Sequence, residues 1–162
     1  MLAEAQRVEA IPMKRTALPQ TDYLEHDEIE TLFKTLPRHG CLSLRDRGIF
    51  MVLYNTGARV QEIADLRIAD VDLDGPLRIR LHGKGDKWRS CPLWPETVRA
   101  LKAVLRKRKQ PKDLAHSDLV FITRYGFPWT GKAKKGDSPI TKRMAKLLKK
   151  LNLRYQVMVL PR

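Results

Sequence analysis

Asn55-Thr56-Gly57-Ala58-Arg59-Val60-Gln61-Glu62-Ile63 is the stretch on which the fold turns: here an apolar segment is broken by glycine and restarted with an arginine. The segment before it runs from Ser43 to Tyr54. It opens with Arg45-Asp46-Arg47 and passes into Ile49-Phe50-Met51-Val52-Leu53-Tyr54. Apolar residues with no polar face between them predict a helix buried on all sides. After the break a short helix is expected from about Ala58 to Leu66. An arginine at such a restart can stand beside free backbone N–H groups and grip a phosphate through two parallel hydrogen bonds. Glu62, three residues on, shares its face and can orient it, although an ordinary local ion pair explains the spacing equally well. Taken alone, an arginine at a helix start is more often a plain surface residue.

Downstream, Asp72-Leu73-Asp74-Gly75-Pro76 has the composition of a turn. Leu77, Ile79 and Leu81 then alternate with Arg78, Arg80 and His82, the period of a half-buried strand. Gly83-Lys84-Gly85-Asp86-Lys87 reads as a hairpin tip, with Trp88 to Leu93 as the returning strand. A lysine between two glycines is mobile enough to reach into a cleft, and lysine serves as a general acid when its surroundings lower its pKa. By itself the cluster is as well explained as a solvated basic turn. Pro95 suits the first position of a helix. In that helix Val98, Leu101, Val104 and Leu105 face inward, and Arg99, Lys102, Arg106, Lys107, Arg108 and Lys109 cover the outside and the end. Leu119 to Ile122 is a strand or a buried loop. Residues 124–137 form a glycine- and lysine-rich loop. Ser138-Pro139 opens a last helix with Ile140, Met144, Leu147, Leu148 and Leu151 inward.

Upstream, a helix beginning at Leu24 carries Ile29, Leu32, Phe33 and Leu36 at helical spacing and ends at Pro37 and Gly40. Residues 1–22 are polar and aperiodic, an arm or linker; residues 23–162 form one domain. The class is α+β, mainly α-helical with a small antiparallel β-sheet of three strands.

Charge is distributed unevenly along the 162 residues. Residues 1–77 hold 9 basic and 13 acidic side chains, net −4, and residues 78–162 hold 23 and 5, net +18. A polyanion facing the C-terminal half follows, and nucleic acid fits better than an anionic membrane because no long helix pairs these charges with exposed bulky apolar residues. No apolar run reaches the roughly 18 residues of a membrane span, and the N-terminus lacks the apolar core of a secretory signal. Cys41 and Cys91 are isolated and are expected as buried free thiols, with no metal site and a reducing cytoplasm.

In combination the motifs are more specific. Asn55-Thr56-Gly57-Ala58-Arg59, Glu62-Ile63, Leu66 and Asp70 are followed, with about 25 residues between Arg59 and Lys84, by Gly83-Lys84-Gly85, Lys87, Arg89 and Cys91-Pro92-Leu93. In order and separation this run resembles the tyrosine recombinase (phage integrase) family, over roughly Leu24 to Leu151. The resemblance implies a partial tyrosine-recombinase catalytic fold. It also implies a chemistry in which two arginines hold the scissile phosphate and a tyrosine attacks it to form a 3′-phosphotyrosyl link. The hairpin lysine protonates the leaving 5′ oxygen. No cofactor is consumed, because the covalent link conserves the phosphodiester energy. By position, Arg59 becomes the first phosphate-binding arginine, Glu62 its supporting acid and Lys84 the leaving-group acid.

The family pattern continues with a His-x-x-Arg box and a late tyrosine nucleophile. His26, His39, His82 and His116 are followed at that spacing by Ile29, Leu42, Gly85 and Leu119, so none supplies the box. The expectation is a truncated site-specific recombinase or integrase of a mobile element that binds DNA and is inactive alone. The rival expectations are a basic DNA-binding or regulatory protein that interferes with intact recombinases, and a relic without function. Lys87, Arg89, Arg99, Arg106, Lys107, Lys132, Lys134, Lys135, Lys142, Arg143 and Lys146 are the candidate DNA contacts. The expected partners are double-stranded DNA and other recombinase subunits, with no membrane and no small-molecule substrate, in a cytoplasmic, nucleoid-associated location. Loss of C-terminal packing is expected to expose apolar surface on the Ile49–Tyr54 helix or the last helix.

Overall fold

The computed structural model describes residues 24–129 and 139–150. Helix α1 (His26–Thr35) opens with a carboxylate cap: the Glu25 N–H donates to Glu28 Oε2 at 2.9 Å, and Asp27 and Glu28 sit at the positive end of the helix dipole. Its Leu32 is buried, as is Leu36 just beyond it, and Ile29 and Phe33 are half-buried. Helix α2 (Cys41–Thr56) is the central element, burying Ile49, Phe50, Met51 and Val52. The apolar surface expected to lie open on this helix is therefore mostly covered; only Tyr54 near its end is well exposed.

Gly57 ends α2 as the break predicts. Its φ of 60° lies in the left-handed region that favours glycine, and its N–H closes on Leu53 O at 3.0 Å. Helix α3 (Val60–Ala64) follows. It is shorter than expected, because Arg59 is its extended cap and a 3₁₀ turn at Ile68–Asp70 takes over soon after.

Among the described residues the sheet has three antiparallel strands in the order β1 (Val71–Asp72), β2 (Arg78–Gly83), β3 (Lys87–Pro92). Register across the hairpin pairs Ile79 with Cys91, Leu81 with Arg89, His82 with Trp88 and Gly83 with Lys87. Ile79 and Leu81 are buried, so their face is the inner one, and Arg89 and Cys91 share it. Leu119–Ile122 is a buried loop touching Arg67 and Pro128 through isolated bridges, so the third strand is Val71–Asp72.

Helix α4 (Pro95–Lys107) has its proline at the first turn and buries Thr97, Val98, Ala100, Leu101 and Val104. It packs on α2 where Gly48 allows close approach: a Cβ there would lie 2.7 Å from Val104 Cγ2. Asn55 pins the start of α4 to the end of α2, accepting from Trp94 N at 2.8 Å and donating to Pro92 O at 3.2 Å. Arg108, expected on the outside, instead donates to the carbonyls of Ser117 and Leu119 and holds the following loop.

Helix α5 (Pro139–Lys150) buries Ile140 and Leu148 and packs on α3. It is also tied to α2 by charge. Asp46 is buried and accepts from Arg45 through Oδ1 and from Arg143, 97 residues away in sequence, through Oδ2. Arg45 also lies over the Trp129 ring at 4.6 Å. Cys41 and Cys91 are free thiols, half-buried rather than fully enclosed. Among the described residues no helix is long and apolar enough to cross a membrane.

Candidate nucleic-acid interface

The glycine break, the start of α3 and the hairpin converge on one carboxylate. Glu62 lies on the first turn of α3 with its side chain only 3% exposed. Oε2 accepts from the Arg59 backbone N–H at 2.8 Å and from Arg89 Nη2 at 2.7 Å; Oε1 accepts from Arg89 Nη1 at 2.8 Å and from Arg59 Nη1 at 3.3 Å. Burial by itself pushes the Glu62 carboxyl pKa up. Hydrogen bonds from Arg89 and the Arg59 backbone, together with both positive charges, outweigh burial and hold it below its usual range. Glu62 is therefore a buried anion with its acceptor sites filled.

Arg59 is the open member of this cluster. Its side chain is 58% exposed and its guanidinium touches Glu62 through one long contact, leaving the rest of the fork toward solvent. Its backbone N–H donates to Glu62. Arg89, another of the candidate DNA contacts, has a side chain 38% exposed. It sits on the inner face of the hairpin opposite Leu81 and spends both terminal nitrogens on Glu62. A signal for this is in the sequence. Arg89 shares strand parity with Cys91 and Leu93, and period two turns all three the same way.

Lys84 stands exposed at the hairpin tip, where Gly85 and Asp86 adopt positive φ values of 75° and 57°. Among the described residues no ion pair restrains it. Its neighbour Gly83 lies against the arginine cluster: a Cβ on Gly83 would be 3.0 Å from Glu62 Oε1 and 3.7 Å from Arg59 Nη1. The fold thus brings the lysine turn to the arginine, a proximity that sequence spacing alone does not give. On the outer face His82 stacks on Trp88 at 4.7 Å, with Arg80 over the same ring at 5.7 Å. Trp88, 55% exposed, is a surface aromatic that the motif reading passed over.

The remaining candidate contacts divide by environment. Lys87, Arg106, Lys107 and Lys146 are exposed. Arg99 is exposed and pairs with Glu96 at 2.5 Å. Lys142 is exposed on α5. Arg143 is turned onto Asp46 and serves the α2–α5 contact. Lys132, Lys134 and Lys135 lie outside the described residues.

Residues 22–158 match the phage integrase family. Among curated proteins, the tyrosine recombinase XerC of Staphylococcus epidermidis is 34% identical over 119 residues, which cover 74% of this chain and 39% of the relative. XerC of Lacticaseibacillus casei is 38% identical over 118 residues, covering 71% and 39%. The chain thus spans about two fifths of the length of these relatives. Among solved structures, the XerA recombinase superposes with a TM-score of 0.69 at 30% identity, covering 90% of this chain and 48% of that one. The XerH site-specific recombinase, solved as a pre-cleavage complex with its difH substrate, gives 0.66 at 23% identity, covering 84% and 38%, a likeness of fold. With the family model matched over residues 22–158, most of the chain, the chain belongs to the phage integrase family of tyrosine recombinases.

Proposed function

We propose that this chain binds the backbone of duplex DNA through Arg59 and the Lys84 hairpin, as the phosphate-gripping part of a site-specific recombinase acting in DNA integration and recombination of a mobile element. The observation that carries this reading is the Arg59–Glu62–Arg89 cluster with the lysine turn packed on it. A buried anion anchors one edge of Arg59 and leaves the remaining N–H groups for the non-bridging oxygens of a phosphodiester. Lys84 then stands beside that phosphate as proton donor to a departing 5′ oxygen. The net charge of +14 supplies the longer-range attraction.

No His-x-x-Arg occurs in the 162 residues, so a second arginine of that motif is not contributed by this sequence. We infer that these residues by themselves hold DNA without cleaving it, and that strand cleavage requires groups from another polypeptide segment. Tyr155, near the C-terminus, is not assigned as nucleophile.

The test is binding of labelled duplex DNA across a salt series, with Arg59→Ala in parallel. The expected result is affinity that falls steeply with salt. Arg59→Ala should lower it by about tenfold and flatten the logarithmic salt slope by about 0.9, the signature of one lost phosphate contact. Salt-steep binding indifferent to Arg59 reduces the protein to a basic surface and refutes the site. A covalent protein–DNA adduct formed by the purified chain alone refutes the inference that it binds without cleaving.

A further inference from the structure

We propose that Arg89 is a positioning residue that keeps Arg59 available to a phosphate, by saturating Glu62 from inside the sheet. The proposal rests on Arg59 being the phosphate ligand and explains how a buried acid can adjoin that ligand without disabling it. Two guanidinium groups compete for one carboxylate, and the division is unequal. Arg89 makes two short parallel bonds, at 2.8 and 2.7 Å, whereas the Arg59 side chain makes a single one at 3.3 Å. The Arg89 side chain is the more enclosed, 38% exposed against 58% for Arg59. Gly83 closes the remaining side, since its backbone leaves only 3.0 Å between a notional Cβ and Glu62 Oε1.

The electrostatic consequence is direct. With both arginines and the glutamate ionised, the cluster carries one net positive charge, and that charge resides on the open guanidinium. Without Arg89 the cluster is neutral and Glu62 has two under-filled oxygens with Arg59 as the nearest cation. A bidentate Arg59–Glu62 pair would then form in a poorly solvated place. The N–H groups spent on it are those a phosphate needs, and the buried anion would repel the phosphate as well. Arg89 therefore acts on the ligand through Glu62 and touches no phosphate itself, unlike the surface lysines of the hairpin and α4.

A double-mutant cycle on the full chain tests this, reading affinity for labelled duplex DNA across a salt series and thermal melting for each variant. Arg89→Gln is expected to lower affinity about as far as Arg59→Ala, roughly tenfold, and to add little once Arg59 is already alanine. Glu62→Gln placed on Arg89→Gln should recover most of the loss, because the anion that captures Arg59 is gone. Additive losses, with a further fall of about 0.9 in salt slope for Arg89→Gln, show a direct phosphate contact and overturn the proposal. Failure of the Glu62→Gln/Arg89→Gln variant to recover, at an unchanged melting temperature, overturns it too. Should Arg89→Gln not fold, Arg89→Lys keeps the charge and should keep most of the affinity. A folded lysine variant that binds as poorly as Arg59→Ala counts against the idea. Wild-type binding indifferent to Arg59→Ala instead removes the phosphate-ligand reading, and this inference falls with it; that outcome is distinct from all the others.

Discussion

Arg143→Ala separates a structural arginine from a DNA-binding one. Arg143 lies on α5 among basic residues that resemble a phosphate-contacting face, yet its Nε and Nη2 both lie 2.7 Å from Oδ2 of buried Asp46 on α2. Removing it strips that oxygen of a hydrogen bond and an ion-pair contact. Oδ1 keeps Arg45, at 2.7 and 3.2 Å, so the carboxylate is not left bare. Breaking a fully buried pair costs about 3–5 kcal/mol. The Arg143 side chain is 38% exposed, so water can reach the vacated oxygen and the figure must be discounted, to about 2 kcal/mol. For a domain of this size that is a fall of roughly 4–8 °C in melting temperature. The assay is urea unfolding, with amide hydrogen exchange along α5: the midpoint should drop, and protection in α5 should fall more than in α4. DNA affinity, measured where both proteins are folded, should change by no more than the loss of one remote charge. An unchanged unfolding midpoint together with a fall in affinity as large as that of Arg59→Ala would refute this, and would make Arg143 a phosphate ligand.

Other expectations follow from the same geometry. Gly83→Ala places a methyl 3.0 Å from a carboxylate that four donors prevent from retreating, so it should cost about 1–2 kcal/mol of stability and weaken the Arg59-dependent part of DNA binding. Unfolding and salt-series binding check both effects. Gly48→Ala forces the α2–α4 contact apart, with Val104 Cγ2 at 2.7 Å and Phe121 Cε1 at 3.3 Å. It should destabilise by about 1–3 kcal/mol with the salt slope of DNA binding unchanged. A melting temperature equal to wild type would show that the core has slack there. Glu62 predicts a pH dependence. Its folded-state pKa lies below the ordinary 4.5, so its stabilisation is fully present above that pH and is lost as pH falls through the lower folded value. As pH is lowered below the ordinary 4.5, urea midpoints should therefore fall less steeply in Glu62→Gln than in the wild type. Equal slopes would place the acid-sensitive group elsewhere.

Local chemistry made the main elements readable. Gly57 stops α2 because its left-handed φ is one that side chains disfavour, Pro95 starts α4, and the alternation of Ile79 and Leu81 with Arg80 and His82 requires a strand with one wet face. Arg59 and Glu62 were legible together because three positions on a helix start bring side chains side by side. The strand parity of Arg89 was legible too, although a basic residue near a basic turn invited the surface reading. What lay opposite that inner face was not legible.

The sequence by itself determined most of the helix and strand limits and which faces are apolar, because these depend on residues within a turn or two of each other, and it carried the family pattern in the order and separation of its motifs. The tertiary structure alone decided which arginines are spent on the fold and which stay open. Glu62 chooses Arg89, 27 residues away, and Asp46 chooses Arg143, 97 residues away, once packing has excluded water from each carboxylate. A guanidinium carries the same charge wherever it stands in the chain. Whether that charge meets a buried carboxylate or solvent depends on burial and distance, which packing sets and local sequence does not.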